Sequence, residues 1–274
     1  MKEERVKKVV RKRYAKVAKT NGSCCASNVG CCSTPPEDLV SKMIVYSEDE
    51  MNAVPEGANL GLGCGNPTAL ASLKEGERVL DLGSGAGFDC FLAAKKVGKK
   101  GRVIGVDMTP EMLEKGRLNA KKGKCTNVEF RLGEIENLPV ADSAVDVIIS
   151  NCVINLAPNK KRVFEEAFRV LAPNGRLMVS DIVLLKKLPK AVQENADAYS
   201  SCISGAEIKD KYLEFIKNAG FKEVKILQEK IYPLEFIVSE PEAEEVVNSL
   251  GMTQEEVAEI ANSILSISVS ALKI

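Results

Sequence analysis

Three glycines at alternate positions carry the first chemical signal in this sequence. Gly83, Gly85 and Gly87 lie in the stretch VLDLGSGAGFD at residues 79–89, and Asp81 precedes the first glycine by two positions. A residue without Cβ lets the backbone bend sharply and approach a ligand closely. The spacing G-x-G-x-G differs from the dinucleotide fingerprint G-x-G-x-x-G. The pattern predicts a buried strand that turns into a helix beside a bound small molecule. The alternative is a tight strand-to-helix turn that binds nothing.

Acidic residues follow the next two predicted strands. Asp107 ends the stretch RVIGVD, and Glu134 and Glu136 lie in the loop GEIENLP after the third strand. In an open parallel sheet, ligands bind beyond the carboxyl ends of the strands. A carboxylate at Asp107 can accept two hydrogen bonds from a ribose diol. We therefore interpret the three acids as candidate ligand residues, with ordinary loop and strand-end acids as the alternative.

The chain has nine cysteines and no histidine, so chemistry that needs a neutral-pH imidazole base is excluded. Cys152 directly follows the fourth predicted strand, Cys202 lies on the segment after the fifth, and Cys64 lies in the glycine-rich turn GLGCGNP before the first. All three segments can reach the same crevice, so three thiols can meet there. Taken singly, a cysteine is most often a small buried hydrophobe, and we predict that role for Cys90 and Cys125.

Four further cysteines form two adjacent pairs, Cys24-Cys25 and Cys31-Cys32, in a predicted loop at residues 21–36. In a reducing cytosol, such cysteines are more often catalytic or metal-binding than disulfide-forming. A zinc site is a weaker alternative, because the CC-x5-CC arrangement lacks the C-x2-4-C spacing of zinc knuckles.

The overall composition is that of an ordinary globular protein, with 45% hydrophobic and 28% charged residues among 274. The formal net charge is zero, which gives no indication of a nucleic-acid partner. No apolar run approaches the roughly 20 residues that span a bilayer, and the N-terminal residues lack the apolar core of a signal peptide. We therefore expect no membrane partner and a cytoplasmic location.

Strands and helices alternate through the middle of the chain, which predicts an α/β fold with a mostly parallel sheet and helices on both faces. The first twenty residues form a basic helix with an apolar face of Val6, Val10, Tyr14 and Val17, which favours packing on the core over a nucleic-acid arm. The predicted strands are Arg78–Leu82, Arg102–Asp107, Val128–Leu132, Asp146–Ser150, Arg176–Ile182, Val224–Lys230 and Ile231–Val238, and the predicted helices between them include Phe88–Lys96, Pro110–Lys122, Lys160–Leu171 and Glu207–Ala219.

A helical tail is predicted after residue 238. Thr253 and Glu256 have the spacing of a capping box, and Val257, Ile260, Ile264 and Ile267 recur at helical spacing. The predicted division of the chain is therefore an N-terminal cap at 1–70, a central domain at 71–238 and a C-terminal helical extension at 239–274. Within the central domain, residues 183–206 form the segment expected to fold over the crevice.

Five stretches together are specific to one family. GANLGLGCGNP, LDLGSGAGFDC, VIGVDMTPEML, FRLGEIENLPV and SNCVINL, in that order, resemble the arsenite methyltransferase family of class I S-adenosylmethionine (SAM) methyltransferases. The resemblance covers residues from about Tyr46 to Gly220. It implies a Rossmann-like fold, SAM as cofactor and arsenic bound by Cys64, Cys152 and Cys202. It also implies a fourth, redox-active cysteine near the N-terminus, with Cys31 or Cys32 preferred over Cys24 and Cys25. The implied cofactor-binding residues are Asp81, Gly83, Ser84, Gly85, Gly87, Asp107, Met108, Glu134, Ile135, Glu136 and Asn151, with Ile135 placed to pack on the adenine.

The chemistry of arsenic agrees with this resemblance. Trivalent arsenic is thiophilic, and thiolate is the ligand form of cysteine. Its lone pair carries no proton, so a chain without histidine can run the methyl transfer. The transfer oxidises arsenic by two electrons, which a dithiol can return by closing to a disulfide, and thioredoxin or a small thiol would then reduce that disulfide. Two alternatives stay open: a SAM methyltransferase acting on another acceptor, and a metalloid-binding protein without enzymatic activity.

Overall fold

The computed structural model describes residues 3–20, 46–193, 199, 203–231 and 251–274. Five of the cysteines discussed above, Cys24, Cys25, Cys31, Cys32 and Cys202, lie outside these residues. Residues 232–238 of the predicted strand Ile231–Val238 and the predicted start of a helical tail at Ser239 also lie outside them.

The described residues form helices and strands in alternation. The helices are α1 Glu3–Thr20, α2 Glu48–Asn52, α3 Pro67–Leu70, α4 Phe88–Val97, α5 Pro110–Lys122, α6 Lys160–Val170, α7 Lys190–Gln193, α8 Lys209–Asn218 and α9 Gln254–Ala261, with a short 3-10 helix at Ile154–Leu156. The strands are β1 Arg78–Leu82, β2 Arg102–Asp107, β3 Val128–Leu132, β4 Val145–Asn151, β5 Leu171–Leu184, β6 Glu207–Ile208, β7 Lys222–Ile231 and β8 Ile264–Leu272.

One sheet contains all of these strands, in the order β3-β2-β1-β4-β5-β8-β7, with β6 pairing with the end of β5. Strands β1 to β5 are parallel, and β8 runs antiparallel to both of its neighbours. The strand order reverses between β1 and β4, which is where ligands bind in open α/β sheets. The predicted mostly parallel α/β sheet is confirmed.

Apolar side chains cover both faces of the sheet. Phe164 of α6 and Tyr212 of α8 lie in the core on one face, while Phe91 of α4 and Leu113 of α5 lie in the core on the other. Each of these four side chains is fully buried. The prediction of helices on both faces is therefore confirmed.

The N-terminal helix packs on the core as predicted. Val6, Val10 and Val17 are buried, and Tyr14 packs beside them, so the apolar face of α1 lies against the body of the molecule. Among the described residues, no helix combines the length and the apolar character needed to cross a membrane.

The tail after residue 250 corrects a prediction. The capping box of Thr253 and Glu256 is present, and α9 begins after it. The helix ends at Ala261, however, and Ile264 and Ile267 belong to strand β8 rather than to a continuing helical face. From Leu265 the sequence alternates apolar residues with serine, which is the period of a strand. The helical spacing of the isoleucines was therefore accidental, and β8 fills the gap between β5 and β7.

A smaller correction applies before α8. The predicted helix over Glu207–Ala219 starts at Lys209, because Glu207 and Ile208 pair with Val183 and Leu184 of β5. At the other end, Gly220 has a φ of 110° and its N–H donates to the carbonyl of Lys217. This left-handed glycine terminates α8.

Candidate active site

A cavity opens at the carboxyl ends of β1, β2 and β4, where the strand order reverses. Nine of the eleven residues that the resemblance implies for cofactor binding line it: Asp81, Gly83, Ser84, Gly85, Asp107, Met108, Ile135, Glu136 and Asn151. Gly87 and Glu134 do not line it. The loops after four successive parallel strands thus converge on one cavity, as the topology requires.

The glycine-rich loop forms one side of the cavity. Gly83, Gly85 and Gly87 have φ values of 67°, 51° and 96°, a left-handed backbone that side chains rarely adopt. A Cβ on Gly87 would lie 2.7 Å from the ring of Phe130. Gly87 therefore serves the packing of α4 onto the sheet, while Gly83 and Gly85 bring the backbone to the cavity.

The carboxylate of Asp107 holds the backbone of this loop in place. Its Oδ2 accepts from the N–H of Gly85 at 3.0 Å, and its Oδ1 accepts from the N–H of Thr109 at 2.8 Å. Burial raises the pKa of Asp107 above its ordinary value, and these hydrogen bonds work against that rise. A carboxylate has about four acceptor positions, so Asp107 can still accept from the hydroxyl groups of a ribose.

Two more buried acids line the cavity beside the loop. Burial, and next the charge of Asp89, raise the pKa of Asp81 well above its usual range, and the thiol of Cys90 donates to Asp81 at 3.2 Å. Burial raises the pKa of Asp89 to about 6. A cation in the cavity would relieve this repulsion between carboxylates. Asp89 was not among the predicted site residues, although it is the last residue of the glycine-rich stretch.

Asn151 connects this cavity to the cysteines. Its Nδ2 lies 2.9 Å from the hydroxyl of Tyr46, 3.1 Å from Asp89 and 2.8 Å from the carbonyl of Gly65, and its Oδ1 accepts from the N–H of Cys64 at 3.0 Å. Tyr46 in turn donates to Asp89 at 2.8 Å. One amide therefore fixes both an acid of the cavity and the backbone of a predicted arsenic ligand.

Two of the three predicted arsenic ligands meet at this point. The Sγ atoms of Cys64 and Cys152 and a carboxylate oxygen of Asp181 all lie within 4.8 Å of one another, and all three residues are buried. Cys152 also lines the cofactor cavity. Its φ of 55° places it in the left-handed region directly after β4. The two thiols thus lie beside the place where a cofactor would bind.

The end of β5 and strand β8 hold the two cysteines in place. The carbonyl of Ser180 accepts from the N–H of Cys152 at 2.8 Å and from the thiol of Cys64 at 3.6 Å. The hydroxyl of Ser266 donates to the carbonyl of Cys64 at 2.9 Å. Ser266 belongs to the strand that the sequence analysis predicted as helix, so its role was also missed.

The glycines on either side of Cys64 permit this close approach. A Cβ on Gly63 would lie 2.6 Å from Nδ2 of Asn151, and a Cβ on Gly65 would lie 2.6 Å from Cβ of Ser180. Such contacts are too short for real side chains, so the sequence GCG is needed for the cysteine to reach the ends of β4 and β5.

Asp181 is a buried acid that the sequence analysis did not single out. It follows Ser180 in β5, and its Oδ1 accepts from the N–H of Ile182 at 2.9 Å and from Nδ2 of Asn155 at 2.8 Å. The hydroxyl of Tyr212 donates to Oδ2 at 3.1 Å. Burial raises the pKa of Asp181 to about 7.

Comparison with known proteins identifies the family. The family model "Methyltransferase domain" matches residues 73–220. The crystal structure of CrArsM, an arsenic(III) S-adenosylmethionine methyltransferase from Chlamydomonas reinhardtii, matches with a TM-score of 0.63 and 33% identity, over 88% of this chain and 75% of that one. The chain belongs to the arsenite methyltransferase family. The predicted family and fold are thereby confirmed, and the predicted cofactor, SAM, is the methyl donor of this class.

Curated arsenite methyltransferases agree with this assignment. The protein of Halobacterium salinarum is 50% identical over 230 residues, which cover 81% of this chain and 59% of that protein. The mouse protein is 32% identical over 213 residues, which cover 74% of this chain and 54% of that protein. The chain therefore spans somewhat more than half the length of these members of the arsenite methyltransferase family.

The N-terminal helix forms one wall of the cofactor cavity in this family member. Lys7, Val10 and Tyr14 of α1 line it. The ammonium group of Lys7 lies 2.7 Å from Glu134 and 3.3 Å from Glu136. Burial lowers the pKa of Lys7, but these two carboxylates outweigh it and raise the pKa above its ordinary value. Glu134 thus contacts the helix instead of lining the cavity.

The remaining described cysteines lie away from the paired thiols. Cys90 is fully buried in the core between α4 and the sheet, and Cys125 is partly buried, with its thiol 3.6 Å from the carbonyl of Gly123. Neither lines the cavity. Cys202 is outside the described residues, but its neighbour Ile203 belongs to the same buried cluster as Cys64 and Cys152.

Proposed function

We propose that this chain is an arsenite methyltransferase, which transfers the methyl group of SAM to trivalent arsenic bound by Cys64, Cys152 and Cys202. The observation that carries the proposal is the meeting of the Cys64 and Cys152 thiols beside an acid-lined cavity, which Cys152 itself lines. The burial of Ile203 in the same cluster supports Cys202 as the third ligand.

The residues of the cavity suit a cationic methyl donor. SAM carries its reactive methyl group on a positively charged sulfur. The buried carboxylates of Asp81 and Asp89 favour a cation nearby, and Asp107 offers acceptor positions to the ribose. The side chains of Met108 and Ile135 give the cavity an apolar wall, against which an adenine ring can pack.

The thiols would hold the arsenic so that its lone pair is available for the methyl group. Because that lone pair carries no proton, no general base is needed, and the absence of histidine is no obstacle. The network of Asn151 fixes Cys64 and an acid of the cavity to each other. Holding two reactants in a fixed relation supplies about 7–11 kcal/mol of the barrier reduction in favourable cases.

Recycling through a disulfide is part of the proposal. Methyl transfer takes two electrons from arsenic, and two thiols that close to a disulfide return them and release two protons. Cys64 and one of the N-terminal cysteines, Cys31 or Cys32, are the candidates. Thioredoxin or a small thiol would reduce the disulfide again, which agrees with a cytoplasmic location. Mass spectrometry after one turnover without reductant should find that disulfide, and fully reduced protein with released product would contradict recycling.

The division of the chain follows from these roles. In our proposal, residues 1–70 form a cap that brings Cys64 and the N-terminal cysteines to the cavity. Residues 71–238 bind SAM, with residues 183–206 supplying Cys202, and residues 239–274 form a C-terminal extension. The packing of α1 on the cavity and the hydrogen bond from Ser266 to Cys64 support a functional part for both flanking regions.

The decisive experiment is incubation with SAM, arsenite and a thiol reductant, with chromatographic separation of the arsenic species. Methylated arsenic should appear with the wild-type chain and with Cys125→Ser, a control thiol outside the cavity. Cys152→Ser should lose the product while still binding SAM in calorimetry. Retained activity in Cys152→Ser would favour another acceptor, and absence of SAM binding in the wild type would favour a metalloid-binding protein.

A further inference from the structure

Asp181 is the one member of the buried thiol cluster that the proposed function does not use. Its carboxylate lies within 4.8 Å of both the Cys64 and Cys152 sulfur atoms, and it is completely buried. Buried carboxylates are uncommon unless a partner compensates for the lost water. The position of this acid beside two sulfur ligands therefore calls for a chemical explanation.

The carboxylate of Asp181 is held rigidly by its own strand and two neighbours. Asn155 and the N–H of Ile182 donate to Oδ1, and the hydroxyl of Tyr212 donates to Oδ2. Tyr212 and Asn155 are themselves fully buried. Each carboxylate oxygen can accept about two hydrogen bonds, so Oδ2 has capacity for another donor beside Tyr212.

The chemistry of arsenite supplies such a donor. At neutral pH arsenite is As(OH)3, and exchange with two thiols gives (RS)2As–OH and two molecules of water, with no change in oxidation state. When Cys64 and Cys152 are the two thiolates, the arsenic keeps one hydroxyl group until a third thiol replaces it. That hydroxyl is a hydrogen-bond donor next to the carboxylate of Asp181.

We propose that Asp181 binds substrate directly, by accepting a hydrogen bond from the hydroxyl that inorganic arsenic keeps on the two-thiolate site. This inference rests on the proposed function and adds a specificity to it. Methylarsonous acid, CH3As(OH)2, exchanges both hydroxyls for the two thiolates and gives (RS)2As–CH3. Its third substituent is a methyl group, which donates nothing. Asp181 thus favours inorganic arsenite over the methylated arsenical.

The test compares two arsenicals on one variant. Asp181→Asn keeps the shape of the side chain and removes its charge. Binding of arsenite and of methylarsonous acid is measured in a Cys202→Ser background, in which no third thiol replaces the hydroxyl, by equilibrium dialysis without SAM and with arsenic quantified by mass spectrometry. A hydrogen bond to a charged group is worth a factor of roughly 10 to 100 in affinity. We expect Asp181→Asn to weaken arsenite binding by at least about tenfold and to change methylarsonous acid binding much less.

Control variants separate this role from a structural one. Asp210→Asn removes an exposed acid of α8 and should change neither affinity. Asp181→Glu keeps a carboxylate and should retain more of the preference for arsenite than Asp181→Asn does. This second variant keeps the inference testable if Asp181→Asn does not fold. Equal losses for both arsenicals, or none, would overturn the inference. A wild-type chain that binds neither arsenical would instead overturn the proposed function itself.

Discussion

The hydrogen bond from Ser266 to Cys64 offers a direct test of how the thiol site is held. Ser266 lies in β8, and its hydroxyl donates to the carbonyl of Cys64 at 2.9 Å in a partly buried setting. Ser266→Ala removes this bond and little else. A neutral hydrogen bond of this kind contributes about 1 kcal/mol. If it stabilises the Cys64 loop against local opening, the open population should rise about fivefold.

Thiol labelling measures that population without any arsenic. The Cys64 side chain is buried, with 7% of the residue exposed, so a reagent such as iodoacetamide reacts with it only when the loop opens. Labelling of Cys64 in Ser266→Ala should be about fivefold faster than in the wild type, as quantified by peptide mass spectrometry. Cys90, which is fully buried behind β1, serves as the internal reference and should keep its labelling rate.

Ser270→Ala is the matched control. Ser270 lies four residues further along β8, is partly buried like Ser266, and points to the same face because strand side chains alternate. It should leave the labelling of Cys64 unchanged. Equal acceleration in both variants would mean that β8 is destabilised as a whole, and an unchanged rate in Ser266→Ala would refute the view that β8 holds the cysteine.

Three further predictions concern the two halves of the site. Gly65→Ala should abolish arsenite binding in equilibrium dialysis but not SAM binding, because its Cβ would lie 2.6 Å from Cβ of Ser180; the added mutation Ser180→Gly removes that Cβ and should restore part of the binding. SAM affinity measured by calorimetry should fall as the pH drops below about 6, because Asp89 then takes up a proton and loses its attraction for a cation. Lys7→Glu should speed the release of SAM several-fold in stopped-flow experiments, because it places a third negative charge beside Glu134 and Glu136. The double variant with Glu136→Lys should restore part of the slow release.

Each of these predictions has a clear contrary outcome. Failure of Ser180→Gly to rescue Gly65→Ala would show that the steric contact is not the cause. A SAM affinity whose pH profile is the same in Asp89→Asn as in the wild type would exclude Asp89 as the titrating group. An unchanged release rate in Lys7→Glu would mean that α1 does not retain the cofactor.

The local features of the fold could be predicted because each depends on neighbouring residues. The bounds of β1, β2, β3 and α5 agree with the prediction, because a local signal ends each of them: a glycine follows β1, β3 and α5, an acid ends β2, and a proline begins α5. Even there, Thr109 stands at the N-cap position without a side-chain capping hydrogen bond, and Pro110 occupies the first turn of the helix.

The features that could not be predicted depend on contacts across long stretches of chain. The apolar–serine alternation from Leu265 is a local signal for strand β8, but its place beside β5 could not be predicted, because the pairing joins distant residues such as Asp181 and Ile267. Asp181 itself looks like an ordinary strand residue until Cys64 and Cys152 lie beside it. The contribution of α1 to the cofactor cavity likewise became visible only from the tertiary structure.

Strand β8 also has a consequence for the order of folding. Cys64 and Ser266 are 202 positions apart, whereas the glycine loop and its partner Asp107 are 22 apart. Contacts between distant residues form late, because the entropy of closing the intervening chain must be overcome first. We expect a refolding chain to form the glycine-rich loop and its contact with Asp107 first. Affinity for arsenic should appear only at the final step, when β8 pairs with β5 and β7.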